Sequence, residues 1–307
     1  MPIKIKPDVF LRPTHQCLTL NIRYKHIEIR TQSETFWLMD RKEIARKLAD
    51  TVVGIYVFLG PECISRGSGF LFNAEGHVFT AGHVINSGRP LTTEELRDPA
   101  LKIWVKIKGR QPIEYFQAVP ALQIDCTGFT DKLVIDLAAL APKQALSQPT
   151  HFLVTKIRTP IIGEDVTLGG FSDELYLPFS FPQRLRSSLT GLATFNANRE
   201  LGYDVELGML MIKSGIVGSS TGYEFGGSTG QVKGWIFFVD NGMHPGASGG
   251  PVVDENGEAF GVITERAITR LAHGPQPDLR VPSGATHAMT LEPLTAMKRQ
   301  RPVRDGG

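Results

Sequence analysis

The sequence predicts an all-β chain of two β units behind a short α+β N-terminal extension, and three observations carry that expectation. From Thr51 onward, short runs rich in β-branched and aromatic residues recur: TVVGIYVFLG, GFLF, HVFTA, LKIWVKI, VTLGGF, GWIFFVD, PVVD and AFGVIT. Runs of this kind read as strands. Between them lie clusters such as NAEG, SGRP and DENG, whose Gly, Asn, Asp and Pro residues supply turn chemistry. The stretch APKQALSQPT, residues 141–150, interrupts the pattern with prolines and reads as a linker between two β units of comparable size. Many short strands at close spacing fold as a sandwich or a barrel.

Ahead of this body, LTLNIRYKHIEIR (residues 18–30) alternates apolar and polar residues, as half-buried strands do. Asp40 followed by Glu43 resembles a capping box opening a helix, RKEIARKLAD, that runs to about Asp50. The expected organisation is therefore an extension over residues 1–50, β units over 51–146 and 147–292, and a tail over 293–307.

With 41% hydrophobic and 21% charged residues among 307, the chain is neither disordered nor fibrous in composition. A formal charge of +2, with basic residues scattered, argues against nucleic acid as a partner. Lys298, Arg299, Arg301 and Arg304 are read as a solvated tail. MPIKIKPDVFLRP carries no apolar run of signal-peptide length, and no uncharged run approaches the ~18 residues of a membrane helix, so no membrane partner is expected. Cys17, Cys63 and Cys126 are odd in number and widely spaced, which predicts a reducing, cytoplasmic compartment rather than a disulfide framework. His15, His26, His77, His151 and His273 lack partners at helical spacing and are assigned structural or surface roles. Neither a metal nor an organic cofactor is expected.

The densest chemical signal is MHPGASGGPVV, residues 243–253. Five fixed positions in G-x-S-G-G-P arise by chance in a chain of this length on the order of once in a thousand. A backbone N–H reaches a developing oxyanion only if the chain approaches the reacting carbonyl closely, and glycine permits both the approach and an unusual dihedral. Gly246, Gly249 and Gly250 meet that need around Ser248. A glycine-flanked serine also occurs in the strand-to-helix elbow of α/β-hydrolases, where Asp and then His follow it. Asp278 and His287 have that order, but Pro251 and β-type residues follow Ser248, and too little chain remains for that fold. The other order places His and Asp upstream. FTAGHV sets His83 in a small-residue turn after an apolar strand, and VIDLAAL sets Asp136 at the head of an apolar segment. A neutral imidazole takes the serine proton, and a carboxylate orients the imidazole. Asp131 is a rival for Asp136, but it sits in the turn-like TGFTDK.

RGSGFLFNAEGHVFTAGHVI, DKLVIDLAAL, KSGIVG and VDNGMHPGASGGPVVDENGEAFGVIT together resemble a trypsin-like serine peptidase, in particular the catalytic domain of the HtrA (Deg) family. The resemblance runs with gaps from about Thr51 to Leu291. It implies a chymotrypsin-like double β-barrel, with His83 and Asp136 on the first barrel, Ser248 on the second, and the amides of Gly246 and Ser248 as oxyanion hole. It further implies that Thr264 begins the strand pairing with the substrate backbone. Ala247 stands where digestive relatives carry an Asp, so activation by a new N-terminus is not expected. About 16 residues follow Leu291 (307 minus 291), too few for a PDZ domain. A stand-alone peptidase is the expectation.

For the substrate side chain, Gly242 stands where Lys- or Arg-selective relatives carry an acid, and Ile263 where acid-selective ones carry a His. By elimination a small or medium apolar side chain is expected, with Met243, His244 and Glu265 close enough to shape the pocket. The resulting expectation is a serine endopeptidase acting on protein or peptide substrates. The alternative is a catalytically silent or partner-activated protein that binds peptides. A homo-oligomer or an activating protein partner stays open, as does the role of the long stretch between Phe171 and Met209.

Overall fold

The computed structural model describes residues 39–86, 98–119, 122–124, 133–172, 209–227, 230–271 and 279–295, together with four short strands before residue 36. The chain divides into two units at Asp40/Arg41. In the first, β1 (Asn21–Arg23) pairs antiparallel with β2 (His26–Glu28), and β3 (Arg30–Thr31) with β4 (Glu34–Thr35).

The second unit opens with α1 (Arg41–Thr51), the helix expected from RKEIARKLAD. It buries Ile44, Leu48 and Thr51, which fall on one face at 3.6 residues per turn. Thr51 ends it by donating its hydroxyl to the Lys47 carbonyl at 2.7 Å. The helix belongs to this unit.

Two closed six-stranded barrels follow. The first comprises β5 (Val52–Leu59), β6 (Glu62–Leu71), β7 (Val78–Thr80), β8 (Leu101–Lys106), β9 (Ile113–Val119) and β12 (Ala138–Pro142), in spatial order β12-β7-β6-β5-β8-β9. A separate antiparallel pair, β10 (Leu122–Ile124) and β11 (Leu133–Ile135), leads into β12. One helical turn, α2 (Gly82–Asn86), follows β7. The second barrel comprises β13 (Asp165–Ser172), β14 (Met209–Gly227), β15 (Gly230–Val239), β16 (Pro251–Val253), β17 (Ala259–Leu271) and β18 (Leu279–Thr290), in order β13-β14-β15-β18-β17-β16. A short 3-10 turn, Glu292–Thr295, closes the described chain. The architecture is the all-β double barrel expected from sequence.

Closure explains why so many short strands are stable: in a closed barrel no strand exposes an unpaired edge. Val53, Ile55, Val57 and Leu71 share one face of their strands and fill the first barrel. Leu168, Val217, Phe237, Val239, Val252 and Phe260 fill the second.

Ala141 and Pro142, at the start of the linker expected over residues 141–150, instead end β12, and residues 150–158 form a strap tied to both barrels. Thr150 N–H donates to the Ala74 carbonyl and Leu153 N–H to that of Leu71 on the first barrel. Lys156 N–H donates to Ala259 O, and Ala259 N–H to Val154 O, on the second. Arg158 anchors its far end, stacked 3.7 Å over the Phe260 ring and paired with Glu164 at 2.9 Å. The barrels are thereby fixed against each other, and loops from each meet.

Candidate active site

His83 is carried by α2, directly after the buried strand β7. Its neighbours Gly82, Val84 and Ile85 are buried, so the turn is anchored on either side of a half-exposed imidazole. Asp136 stands between β11 and β12. Leu137 N–H bonds back to Ile135 O at 2.8 Å, making a three-residue turn with Asp136 at its tip. Ile135 and Leu137 are buried on both sides of it.

The turn aims the Asp136 carboxylate at His83 twice. Oδ1 accepts the backbone N–H of His83 at 2.7 Å, and Oδ2 contacts ring Nδ1 at 2.7 Å. An ionised carboxylate only accepts, so Nδ1 carries the proton and the lone pair of the neutral ring lies on Nε2. Burial disfavours the imidazolium, but the hydrogen bond and charge of Asp136, joined by the charge of Glu265, outweigh it and hold His83 above its ordinary value of 6.5.

Ser248 lies on the loop between β15 and β16. Gly246 and Gly249 have φ of 89° and 88°, in the left-handed region that favours glycine. A Cβ on Gly249 would overlap Ser68 O and Thr80 Oγ1, and one on Gly250 would overlap Gly169 O. Gly170 of β13 presses so close that a Cβ there would stand 2.7 Å from Ala247 Cα. The glycines thus let the loop bury its backbone against both barrels. Ala247 is 1% exposed and packs with Leu168, Val252 and Ile263. An acid in this position would need a buried cation; alanine needs none.

Two observations set the elements carrying His83 and Ser248 beside each other. A Cβ on Gly67 would lie 2.6 Å from Val84 Cγ2 and 3.2 Å from Ser248 O. Glu265, one residue beyond Thr264, also contributes to the electrostatics of His83. The Ser248 hydroxyl donates at 3.1 Å to the Thr264 carbonyl. The N–H groups of Gly246 and Ser248 donate to no protein acceptor among the described residues.

The residues expected to contact substrate divide into groups. Met243 and Ile263 turn into the second-barrel core, 2% and 1% exposed. Gly242 backs onto Gly284, where a Cβ would stand 3.2 Å from the Gly284 carbonyl. Thr286 ties this wall down: its hydroxyl donates to Asn241 O at 2.6 Å and accepts Met243 N–H at 2.8 Å. His244 is half-buried, and its carbonyl accepts Ala247 N–H at 3.1 Å. Thr264 is buried, its Oγ1 2.5 Å from His287 Nδ1. Glu265 is 70% exposed and lies 4.0 Å from the same nitrogen. Burial holds His287 below 6.5 against the pull of Glu265 and Asp136.

Asp131, Asp278, His15, His273, Cys17 and Cys126 lie outside the described residues. His77 fills the structural role expected of it, with its N–H and ring against Asn73. Lys213 was not legible from sequence, yet its ammonium donates to the Gly242 carbonyl at 2.5 Å and steadies the same wall. No group of three or more His, Cys, Asp or Glu among the described residues is arranged to hold a metal. No helix among them is long and apolar enough to cross a membrane.

A family model described as a trypsin-like peptidase domain matches residues 67–262. The sequence matches no curated protein. Among solved structures, the fold is similar to the active form of the Rv3671c protease from M. tuberculosis, at 17% identity over 97% of this chain and 99% of that one, with a TM-score of 0.48. It is also similar to an inactive form of Rv3671c from M. tuberculosis H37Rv carrying a serine-to-alanine mutation, at 14% identity over 83% of this chain and 88% of that one, with a TM-score of 0.47.

Proposed function

The chain belongs to the trypsin-like peptidase family, and from that premise we propose that it is a serine endopeptidase using Ser248, His83 and Asp136. The observation that carries this reading is the double hydrogen bond from His83 to Asp136, which leaves a basic Nε2 on a ring held above its ordinary pKa.

In the proposed reaction the Ser248 hydroxyl turns from the Thr264 carbonyl to His83 Nε2. The ring takes its proton as Oγ attacks the peptide carbonyl. The unpaired amides of Gly246 and Ser248 receive the oxyanion, and His83 returns the proton to the leaving amine. Water then enters by the same path and hydrolyses the acyl-enzyme. Protein or peptide substrates follow from this chemistry. An odd cysteine count with a free Cys63 supports a cytoplasmic location, which cell fractionation tests.

One observation favours a second reading, a silent or partner-activated peptidase. In the resting site the nucleophile's proton goes to Thr264 O, so its rotation to His83 is a separate step that a partner can control. Labelling with a fluorophosphonate separates the two. Wild type should gain one adduct by intact mass, and Ser248→Ala none. A folded wild type that gains none supports the second reading. With a peptide substrate, Ser248→Ala or His83→Ala should lower kcat by about five to six orders of magnitude.

A further inference from the structure

The N–H of Gly246 belongs to the Pro245–Gly246 peptide and that of Ser248 to the Ala247–Ser248 peptide, so the two form a useful pair only if the Gly246–Ala247 peptide between them keeps one orientation. Relatives with an acid before the nucleophile hold this loop by a buried ion pair, and Ala247 leaves that device absent. Backbone hydrogen bonds hold the loop instead, and among the described residues a buried hydroxyl, that of Ser68, bonds the Gly246 carbonyl.

Ser68, on β6 of the first barrel, is completely buried. Its hydroxyl donates to the Gly246 carbonyl at 2.7 Å and accepts the N–H of Phe171, on β13, at 2.8 Å. A backbone N–H can only donate and a carbonyl can only accept, so the one hydroxyl proton has one direction, toward Gly246. The Ser68 backbone holds the loop a second time, its N–H donating to Ser248 O at 2.8 Å. The Ser68 carbonyl accepts the Thr80 hydroxyl at 2.7 Å, three residues before His83.

We infer that Ser68 is a positioning residue for the oxyanion hole, a clasp from the first barrel that fixes the Gly246–Ala247 peptide and sets it in register with the His83 turn. This inference rests on the peptidase reading of the site. Turning that peptide would leave the Ser68 proton and the Gly246 carbonyl without partners in a buried place, where an unmade hydrogen bond costs its full desolvation. β6 cannot shift to follow. Added Cβ atoms would stand 2.6 Å from Val84 Cγ2 at Gly67 and 2.6 Å from Val78 Cγ1 at Gly69, so the strand is pressed on both sides of Ser68. Alanine at position 68 keeps the strand and removes only the clasp. Threonine keeps the hydroxyl.

The test compares wild type, Ser68→Ala and Ser68→Thr by two readouts. The first needs no turnover: hydrogen exchange of the amides of Ala247, Gly249 and Gly250, all bonded in the resting loop. The second is the rate of fluorophosphonate labelling, with kcat and KM where a substrate is known. Ser68→Ala should exchange these amides at least about tenfold faster. It should label about 10- to 100-fold more slowly, with the loss in kcat rather than KM, since one misplaced oxyanion donor costs about this much or more. Ser68→Thr should recover most of both. Unchanged exchange and labelling in a folded Ser68→Ala overturns the inference, as does equal loss in both variants. If wild type itself does not label, the second reading of the site is supported, and exchange alone decides for or against Ser68.

Discussion

The two barrels contribute to the site by different physics. The first presents its candidate base through charge: a carboxylate on a tight turn, two 2.7 Å hydrogen bonds to one histidine, and a raised imidazole pKa. The second presents its candidate nucleophile through neutral geometry: left-handed glycines, a buried alanine and carbonyl acceptors. Changes that alter charge should therefore act on the first barrel's part and shift pH dependence. Changes that alter shape should act on the second's and leave pH dependence alone.

The largest break in that comparison, short of removing the base or nucleophile, is Asp136→Asn. The amide keeps the shape but donates where the carboxylate accepted, so the imidazole loses both its tautomer and the partner for its charge. We expect kcat to fall about 10^4-fold at neutral pH, and the acid limb of the kcat/KM profile to move downward. A profile whose midpoint stays unmoved would show that Asp136 does not set the basicity of His83.

Gly249→Ala tests the geometric side. A left-handed backbone costs a non-glycine residue about 1–3 kcal/mol, and the added Cβ would overlap Ser68 O and Thr80 Oγ1. At about 2–4 °C per kcal/mol for a chain of this size, a scanning calorimeter should record a clear fall in Tm. Labelling should also fall, at every pH alike. A variant that keeps its Tm would show that the loop relaxes without help from glycine.

The smallest expected effect sharpens the comparison. Glu265 belongs to the second barrel but acts by charge on the first, raising the His83 pKa. In wild type kcat/KM should rise with pH through an inflection above 6.5, because the neutral ring is the base. Glu265→Gln should lower that inflection only slightly, since the carboxylate is largely exposed and screened. Stability follows the same sign. The raised His83 pKa contributes stability that is fully present below the unfolded value of 6.5 and lost as pH rises through the folded pKa. An inflection that Glu265→Gln leaves in place, or moves upward, would remove this residue from the electrostatics of the base.

Much of the architecture was legible along the chain because closed barrels of short strands leave a local trace. The β-branched runs at Val52–Leu59, Leu101–Lys106 and Asp165–Ser172 are strands where periodicity puts them. β9 (Ile113–Val119) escaped, since IEYFQAV carries polar residues among its apolar ones and is defined by its neighbours β8 and β12. The candidate Ser, His and Asp were readable because each sits in a short motif of small or apolar residues. Lys213 and Thr286 were not: each acts through a backbone carbonyl distant in sequence, and no local pattern marks such a donor.

By itself the sequence determined the fold class, the helix Arg41–Thr51 and the three residues on which the proposed chemistry rests, because alternation, turn residues and glycine spacing are local properties of the chain. Only the tertiary structure decided that Asp136 grips His83 by ring and backbone together, that the Ser248 proton rests on Thr264, and that Ser68 spans from one barrel to the nucleophile loop of the other. Those are contacts between residues 16 to 178 positions apart, and they exist only once two closed barrels have been strapped together.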